Sequence, residues 1–179
     1  MGTGILICGL NGAGKSTLGK ALAEKLDFYF IDIEDLYFPK TDPHYLYTAP
    51  RTRRQVEDLL VKEIREHANF VLSSVKGDYG ETVLKSFQYV VLIEIPRELR
   101  LQRVRERSFE KFGDRILPGG DLYEKEERFF HMVEAREENM VEEWLKTVGC
   151  PVIRVDGTRK VEENMESLGW KRWCLSNQG

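Results

Sequence analysis

Gly9-Leu10-Asn11-Gly12-Ala13-Gly14-Lys15-Ser16 fits the spacing GxxxxGK[ST], and its residue types suit a bound polyphosphate. Glycines let the main chain wrap closely around an anion and turn successive N–H groups inward. A helix starting where the loop ends adds unpaired donors and the positive end of its dipole. On this reading Asn11, Gly12, Ala13, Gly14, Lys15, Ser16 and Thr17 form the nucleotide-binding set. Lys15 is expected to reach the β- and γ-phosphates and the Ser16 hydroxyl to ligate Mg²⁺.

Acids and arginines further along the chain could complete such a site. Phe28-Tyr29-Phe30-Ile31-Asp32-Ile33-Glu34-Asp35 ends an apolar run in carboxylates. Period-two alternation is expected to put Asp32 and Glu34 on one face of a strand, with Asp35 pointing elsewhere or capping the next helix. Two carboxylates beside the glycine loop could hold a Mg²⁺-bound water and accept a proton from an attacking hydroxyl. Ending a strand and capping a helix is the structural alternative. Arg103 and Arg107 are four apart on an expected helix, hence on one face, where they could clamp phosphates or pair with Glu98, Glu106 and Glu110. Arg115 lies in the following Gly-rich segment and could arrive as that segment closes. Arg51, Arg53 and Arg54 would suit an anionic acceptor or simply open a surface helix, and Lys76 lies at the expected site edge in Ser73-Ser74-Val75-Lys76-Gly77-Asp78.

These groups need a scaffold. Near-continuous apolar runs predict strands at Gly4–Cys8, Phe28–Ile33, Phe70–Ser73, Tyr89–Ile95 and Val152–Val155, the pattern of strands buried on both faces of a parallel sheet. Leu18, Leu22 and Leu26 mark one helix face, and Val56, Leu59, Leu60 and Ile64 mark another. A third helix is expected from Arg97 to about Ser108, a long one from about Leu122 to Val148, and a last one after Thr158. Strands alternating with helices predict an α/β fold with a parallel sheet. Two irregular segments interrupt the alternation. One is Phe38–Thr52, whose Tyr45 and Tyr47 fit a base-stacking pocket or a packed loop equally well; the other is Lys111–Asp121. Loops of this size in a compact domain often bind substrate or close over it.

The chain's 179 residues suit one domain, without a linker long enough to divide it. Its 27 Lys and Arg against 30 Asp and Glu give a net charge of −3, which disfavours affinity built on duplex phosphates. Cys8, Cys150 and Cys174 form no CxxC pair and read as reduced thiols. His44, His67 and His131 lack ligand spacing. No basic segment followed by a long apolar run opens the sequence, and no run is long enough for a membrane span, so a cytoplasmic protein is expected. The DxxG and NKxD motifs of GTPases and the LSGGQ of ABC proteins are absent, and the length does not suit an AAA-type core plus helical subdomain.

Taken in order, the glycine loop, acid-ended second strand, third-strand loop, Arg-x-x-x-Arg and Asp156-Gly157-Thr158 resemble the nucleotide-kinase and shikimate-kinase-like group of P-loop kinases over most of the chain. The resemblance implies a three-layer αβα fold with a five-stranded parallel sheet of order 2-3-1-4-5, an acceptor-binding segment at about 36–67 and a lid at about 108–122. Phe30-x-Asp32-x-Glu34 is similar to the F-x-D-x-D of shikimate kinases, where the first acid helps hold Mg²⁺ and the second contacts the acceptor hydroxyl; Glu34 is one methylene longer. Asp156, Gly157 and Thr158 would lie near the donor adenine. The D-G-x-P-R of adenylate kinases and the Gly triplet of shikimate kinases are both missing after strand three. The expectation is an ATP- and Mg²⁺-dependent transfer to a small acceptor: a nucleotide, a nucleoside or a shikimate-like hydroxyl. Lys15, Asp32, Glu34, Arg103 and Arg107 would carry the chemistry, Ser16 and Asp32 the metal, and Arg51, Arg54, Lys76 and Arg115 the acceptor. A nucleotide-binding regulator and, less favoured, a nucleic-acid end kinase are the alternatives. Monomer and homodimer both remain open.

Overall fold

A computed structural model describes residues 2–169; Cys174 lies outside them. Five strands, β1 (Gly4–Cys8), β2 (Tyr29–Asp32), β3 (Phe70–Ser73), β4 (Phe87–Glu94) and β5 (Val152–Asp156), form one sheet in the order β2-β3-β1-β4-β5. Every pairing is parallel. Such a sheet needs crossover helices on both faces, and alternation along β1 supplies an apolar surface to each. Ile5 and Ile7 face one core with Leu18, Leu22 and Ala23 of α1 (Lys15–Leu26). Leu6 and Cys8 face the other core.

That second core is covered by α3 (Arg53–Glu66) through Val56 and Leu60, by α4 (Glu81–Ser86) through Val83, and by Val141, Trp144 and Leu145 of α7 (Met140–Leu145). The last helix, α8 (Val161–Ser167), packs beside α1 through Val161 and Met165. Cys8 is buried against the sheet, and burial pushes its thiol up to about 12, so it stays protonated and inert at neutral pH. α3 starts where Thr52 and Gln55 cap each other, the Thr52 hydroxyl accepting from the Gln55 N–H and Gln55 Oε1 from the Thr52 N–H at 2.9 Å. No helix among the described residues is long and apolar enough to cross a membrane.

A third, smaller cluster forms around the end of α5 (Arg97–Phe112). Val104 of α5, Ile116 of a 3-10 turn (Gly113–Ile116), Leu122, and Phe130 and Val133 of α6 (Tyr123–Glu134) pack together away from the sheet. Tyr45 and Phe112 pack against this cluster. α5 therefore runs four residues past its expected end, into the segment expected to be loop.

Two other expectations need correction. β2 stops at Asp32, and Ile33–Tyr37 form a short helix, α2, so Glu34 sits in a first helical turn and not on a strand face shared with Asp32. Asp32 caps that helix by accepting the Glu34 N–H at 3.0 Å, an arrangement short acids at strand ends favour. The expected helix from Leu122 to Val148 is two helices, broken between Glu134 and Met140. No Pro or Gly marks the break. Arg97 donates to the Glu134 carbonyl at 2.7 Å, and Arg97 and Arg100 both hold the Glu138 carboxylate. Those tertiary ties override a continuous helical pattern.

Candidate active site

The glycine loop joins the buried end of β1 to α1 and turns on two glycines in the left-handed region, Gly12 at φ +84° and Gly14 at φ +94°. A Cβ at Gly12 would lie 2.1 Å from the Arg100 carbonyl oxygen, so loop and α5 meet backbone to backbone there. At Gly14 nothing lies within 4 Å, leaving the concave side open. Gly14 also supplies no side-chain cap, so the first N–H groups of α1 remain available to an anion. Asn11 Oδ1 is buried without a hydrogen-bond partner among the described residues. The glycine turns and the open N–H groups suit a polyphosphate, whereas the Asn11 oxygen, an acceptor, offers an anion no hydrogen bond.

Lys15 turns its ammonium onto the Leu10 carbonyl at 3.1 Å. Loss of water, reinforced by the nearby Arg107 charge and opposed by Asp32, lowers its pKa to about 8. A cation strained in this way gains most from an arriving anion. The Ser16 hydroxyl donates to Asp32 Oδ2 at 2.6 Å and lies 3.3 Å from the Ser73 hydroxyl. Ser16 and Asp32, both oxygen donors beside the loop, form the set that fits Mg²⁺.

Other expected site residues fall into two groups. Arg103 Nη1 donates to the Gly157 carbonyl at 2.9 Å. Asp156 Oδ1 accepts from the Thr158 N–H at 2.8 Å and its hydroxyl at 2.6 Å, so α5 is tied to a formed Asp156-Gly157-Thr158 turn. Arg107 makes no hydrogen bond or ion pair with a described residue and stands within electrostatic reach of Lys15, Tyr47 and Lys111. Glu34 faces Tyr47, whose hydroxyl is pushed up by burial and by that carboxylate. Lys15, Ser16, Asp32, Glu34, Arg103 and Arg107 thus gather around the loop mouth, with Thr17 exposed on the first turn of α1.

The expected acceptor residues are engaged elsewhere or stand apart. Arg51 donates to the Leu36 carbonyl at 2.7 Å. Lys76 pairs with Asp78 at 3.0 Å, and Arg53 pairs with Glu57 and the same Asp78. Arg54 is exposed on α3. Arg115 grips Asp121 through two hydrogen bonds, at 2.9 and 2.7 Å, and donates to the His44 carbonyl at 2.9 Å. It fastens the 113–121 segment to the 38–52 segment. Asp35 pairs with Lys40. Tyr47 packs edge-on against Tyr45 and Phe112, and Tyr45 lies tilted against Phe112, with centroids 5.5–6.2 Å apart.

Sequence reasoning missed two cations here. Arg136, in the break between α6 and α7, depresses the Lys15 pKa; its own is lowered by burial and by Arg100, against the pull of Tyr79. Nothing in the sequence distinguishes it, because its stretch reads as uninterrupted helix. Lys111 bonds the Tyr47 hydroxyl. Its spacing from Arg107 would have flagged it, had α5 been extended far enough.

The AAA domain family matches residues 5–131. A protein of uncharacterised function from Bacillus subtilis, YqaC, is 29% identical over 92% of this chain and 94% of its own length. A shikimate kinase of Phocaeicola vulgatus is 30% identical over 64% of this chain and 75% of its own length. Among solved structures, a gluconokinase from Sinorhizobium meliloti superposes with a TM-score of 0.57 at 16% identity, covering 97% of this chain and 94% of that one. A shikimate kinase from Acinetobacter baumannii in complex with shikimate superposes with a TM-score of 0.53 at 19% identity, covering 98% and 94%. The family match, which runs over residues 5–131, amends the exclusion of AAA-type proteins on length. With its glycine loop, 2-3-1-4-5 parallel sheet and shikimate kinase relatives, this chain belongs to the AAA-domain family of P-loop proteins and is a P-loop small-molecule kinase.

Proposed function

We infer that the protein transfers the γ-phosphoryl group of Mg·ATP to a hydroxyl of a small acceptor: a nucleotide, a nucleoside or a shikimate-like alcohol. The observation that carries this reading is the line Ser16–Asp32–Glu34. Ser16 donates to Asp32 at 2.6 Å, Asp32 caps the turn bearing Glu34, and Glu34 faces Tyr47. One end of the line suits a metal-bound phosphate and the other an incoming alcohol.

When bound, Mg²⁺ draws charge from the phosphate oxygens. The loop's N–H groups and Lys15 hold the polyphosphate, and Lys15 regains full protonation as the anion replaces the water it has lost. Arg107, without a carboxylate to neutralise it, counters the charge that develops as the phosphoryl group moves. The acceptor oxygen forms a bond to the γ-phosphorus, the bond from that phosphorus to the bridging oxygen breaks, and the hydroxyl proton passes to Glu34. ADP leaves. Arg103, bonded to the Gly157 carbonyl, positions the Asp156–Thr158 turn for the donor base, while the lid excludes water that would otherwise compete. The compartment is taken to be the cytoplasm.

The test is ADP formation from Mg·ATP across pooled nucleosides, nucleotides, shikimate-like acids and sugars, with Lys15→Met as control. A pool that raises the rate at least tenfold over basal hydrolysis is expected. Flat rates across all pools with nucleotide binding intact would replace transfer with nucleotide-dependent regulation.

A further inference from the structure

Lys111 stands one turn beyond Arg107 and two beyond Arg103 on α5, so three cations at intervals of four share a face. They occupy successive stations. Arg103 holds the Gly157 carbonyl at the donor end. Arg107 lies within electrostatic reach of Lys15, at the point of transfer. Lys111 donates to the Tyr47 hydroxyl, lies 5.1 Å from that ring's centroid and is within electrostatic reach of Glu34.

Lys111 is exposed, and exposed Lys125 likewise lies 5.1 Å from a tyrosine ring centroid, that of Tyr45, but Lys111 differs from the lysines that pair with a carboxylate. Lys40, Lys85 and Lys146 each sit on a carboxylate, at 2.5–2.7 Å. Lys111 has no carboxylate within 4.0 Å among the described residues. Its partner is a neutral phenol, and that phenol's ring is already held by Phe38 and Phe112. Loss of water lowers the Lys111 pKa and Arg107 adds to the effect, with Glu34 acting against both. An anion would relieve that penalty, whereas the phenol relieves little of it.

We propose that Lys111 is an acceptor-binding residue: its ammonium leaves the Tyr47 phenol for an anionic oxygen group of the acceptor and so selects acidic acceptors over neutral ones. The assignment rests on the phosphotransfer reading above. It shifts recognition of the acceptor away from Arg51, which the fold uses to hold the Leu36 carbonyl, and onto the end of α5.

The experiment compares acids with their neutral counterparts: gluconate with glucose, shikimate with methyl shikimate, and thymidine monophosphate with thymidine. The carboxylate and phosphate arms separate the two sources of anion. The acid of one pair is expected to be phosphorylated at least tenfold more efficiently than its counterpart. Lys111→Met should then raise KM for that acid at least tenfold, with kcat within threefold and KM for Mg·ATP unchanged, and Lys111→Arg should restore KM to within threefold of wild type. In the unmutated protein, the accepted acid with Mg·ADP should protect Lys111, but not Lys85, from acetylation. A neutral best acceptor, an unmoved KM in Lys111→Met, or a rise confined to KM for Mg·ATP would overturn the assignment while leaving phosphotransfer intact. Absence of transfer to every compound and pool would overturn both.

Discussion

Two pairs of cationic side chains, one near each end of α5, are treated in opposite ways. In the first half, Arg97 and Arg100 converge on Glu138, and Arg100 is 1% exposed. In the second half, Arg105 pairs with Glu127 and Glu134 of α6, but Arg107 and Lys111 have no carboxylate within 4.0 Å among the described residues, although the chain carries 30 acids. Buried charge must be paired to be tolerated, so the first half builds structure: it breaks the α6–α7 pattern and anchors the turn bearing Arg136. Charge left unpaired around a phosphate-binding loop is held ready for a ligand. The difference separates cations that fold the protein from cations that use the fold.

The sharpest way to break this comparison is to remove charge from the second half. Arg107→Met and Lys15→Met should each lower kcat by roughly 10²–10³-fold, the range for removing one preorganised charge-stabilising donor. Melting temperatures should stay within about 3 °C, since neither residue is a packing element. An Arg107→Met enzyme within tenfold of wild type would show that the second half is as structural as the first.

In the first half the expected effect is on stability, and it is asymmetric. Glu138→Gln leaves the Arg100 guanidinium buried without its counter-charge and should cost about 2 kcal/mol in urea unfolding. Arg100→Met removes the cation together with two buried donors that lack partners, Nε and Nη1. It should change stability by less than about 1 kcal/mol, or raise it. Equal losses from both variants would mean that the pair stabilises the fold on its own account.

A pH series links the two halves through Lys15. Its pKa of about 8, against an ordinary 10.5, means its charged form is disfavoured in the folded state. Between those values the unfolded chain binds more protons, so this residue's contribution to stability rises with pH through that window, and Lys15→Met should abolish the rise. Mg·ADP affinity should fall above pH 8, by at most about tenfold per pH unit, as the ammonium is lost. Because Arg107 helps depress that pKa, Arg107→Met should move the fall to higher pH. The smallest effect belongs to Arg105, half-exposed between Glu127 at 3.3 Å and Glu134 at 3.0 Å and lying over Phe130. Arg105→Ala should cost about 1 kcal/mol or less, shrinking in high salt, with kcat unchanged.

The donor half of the site was legible because backbone geometry dictates its sequence. Only glycine suits Gly12, where α5 comes too close for a side chain, and a buried β1 announces itself by an unbroken apolar run. The acceptor half is assembled from side chains on separate segments, and spacing does not report where those segments meet. Glu34 was placed on a strand because alternation continues through Ile33, while the cap made by Asp32 starts a helix one residue earlier. Arg136 was hidden because the break in its helix comes from Arg97 and Arg100, nearly forty residues away. Arg51 and Lys76 looked available as isolated cations, and the fold gives them the Leu36 carbonyl and Asp78.

The meeting of Gly12 with the Arg100 carbonyl has a consequence for how such a protein changes over generations. The distance between the anion-binding loop and the row of cations on α5 is fixed by two main chains, and main chains do not vary with side-chain substitution. Side chains of the 38–52 segment can therefore change with little effect on the spacing between the glycine loop and α5. A lineage built this way can vary that segment while the register between glycine loop and α5 stays put.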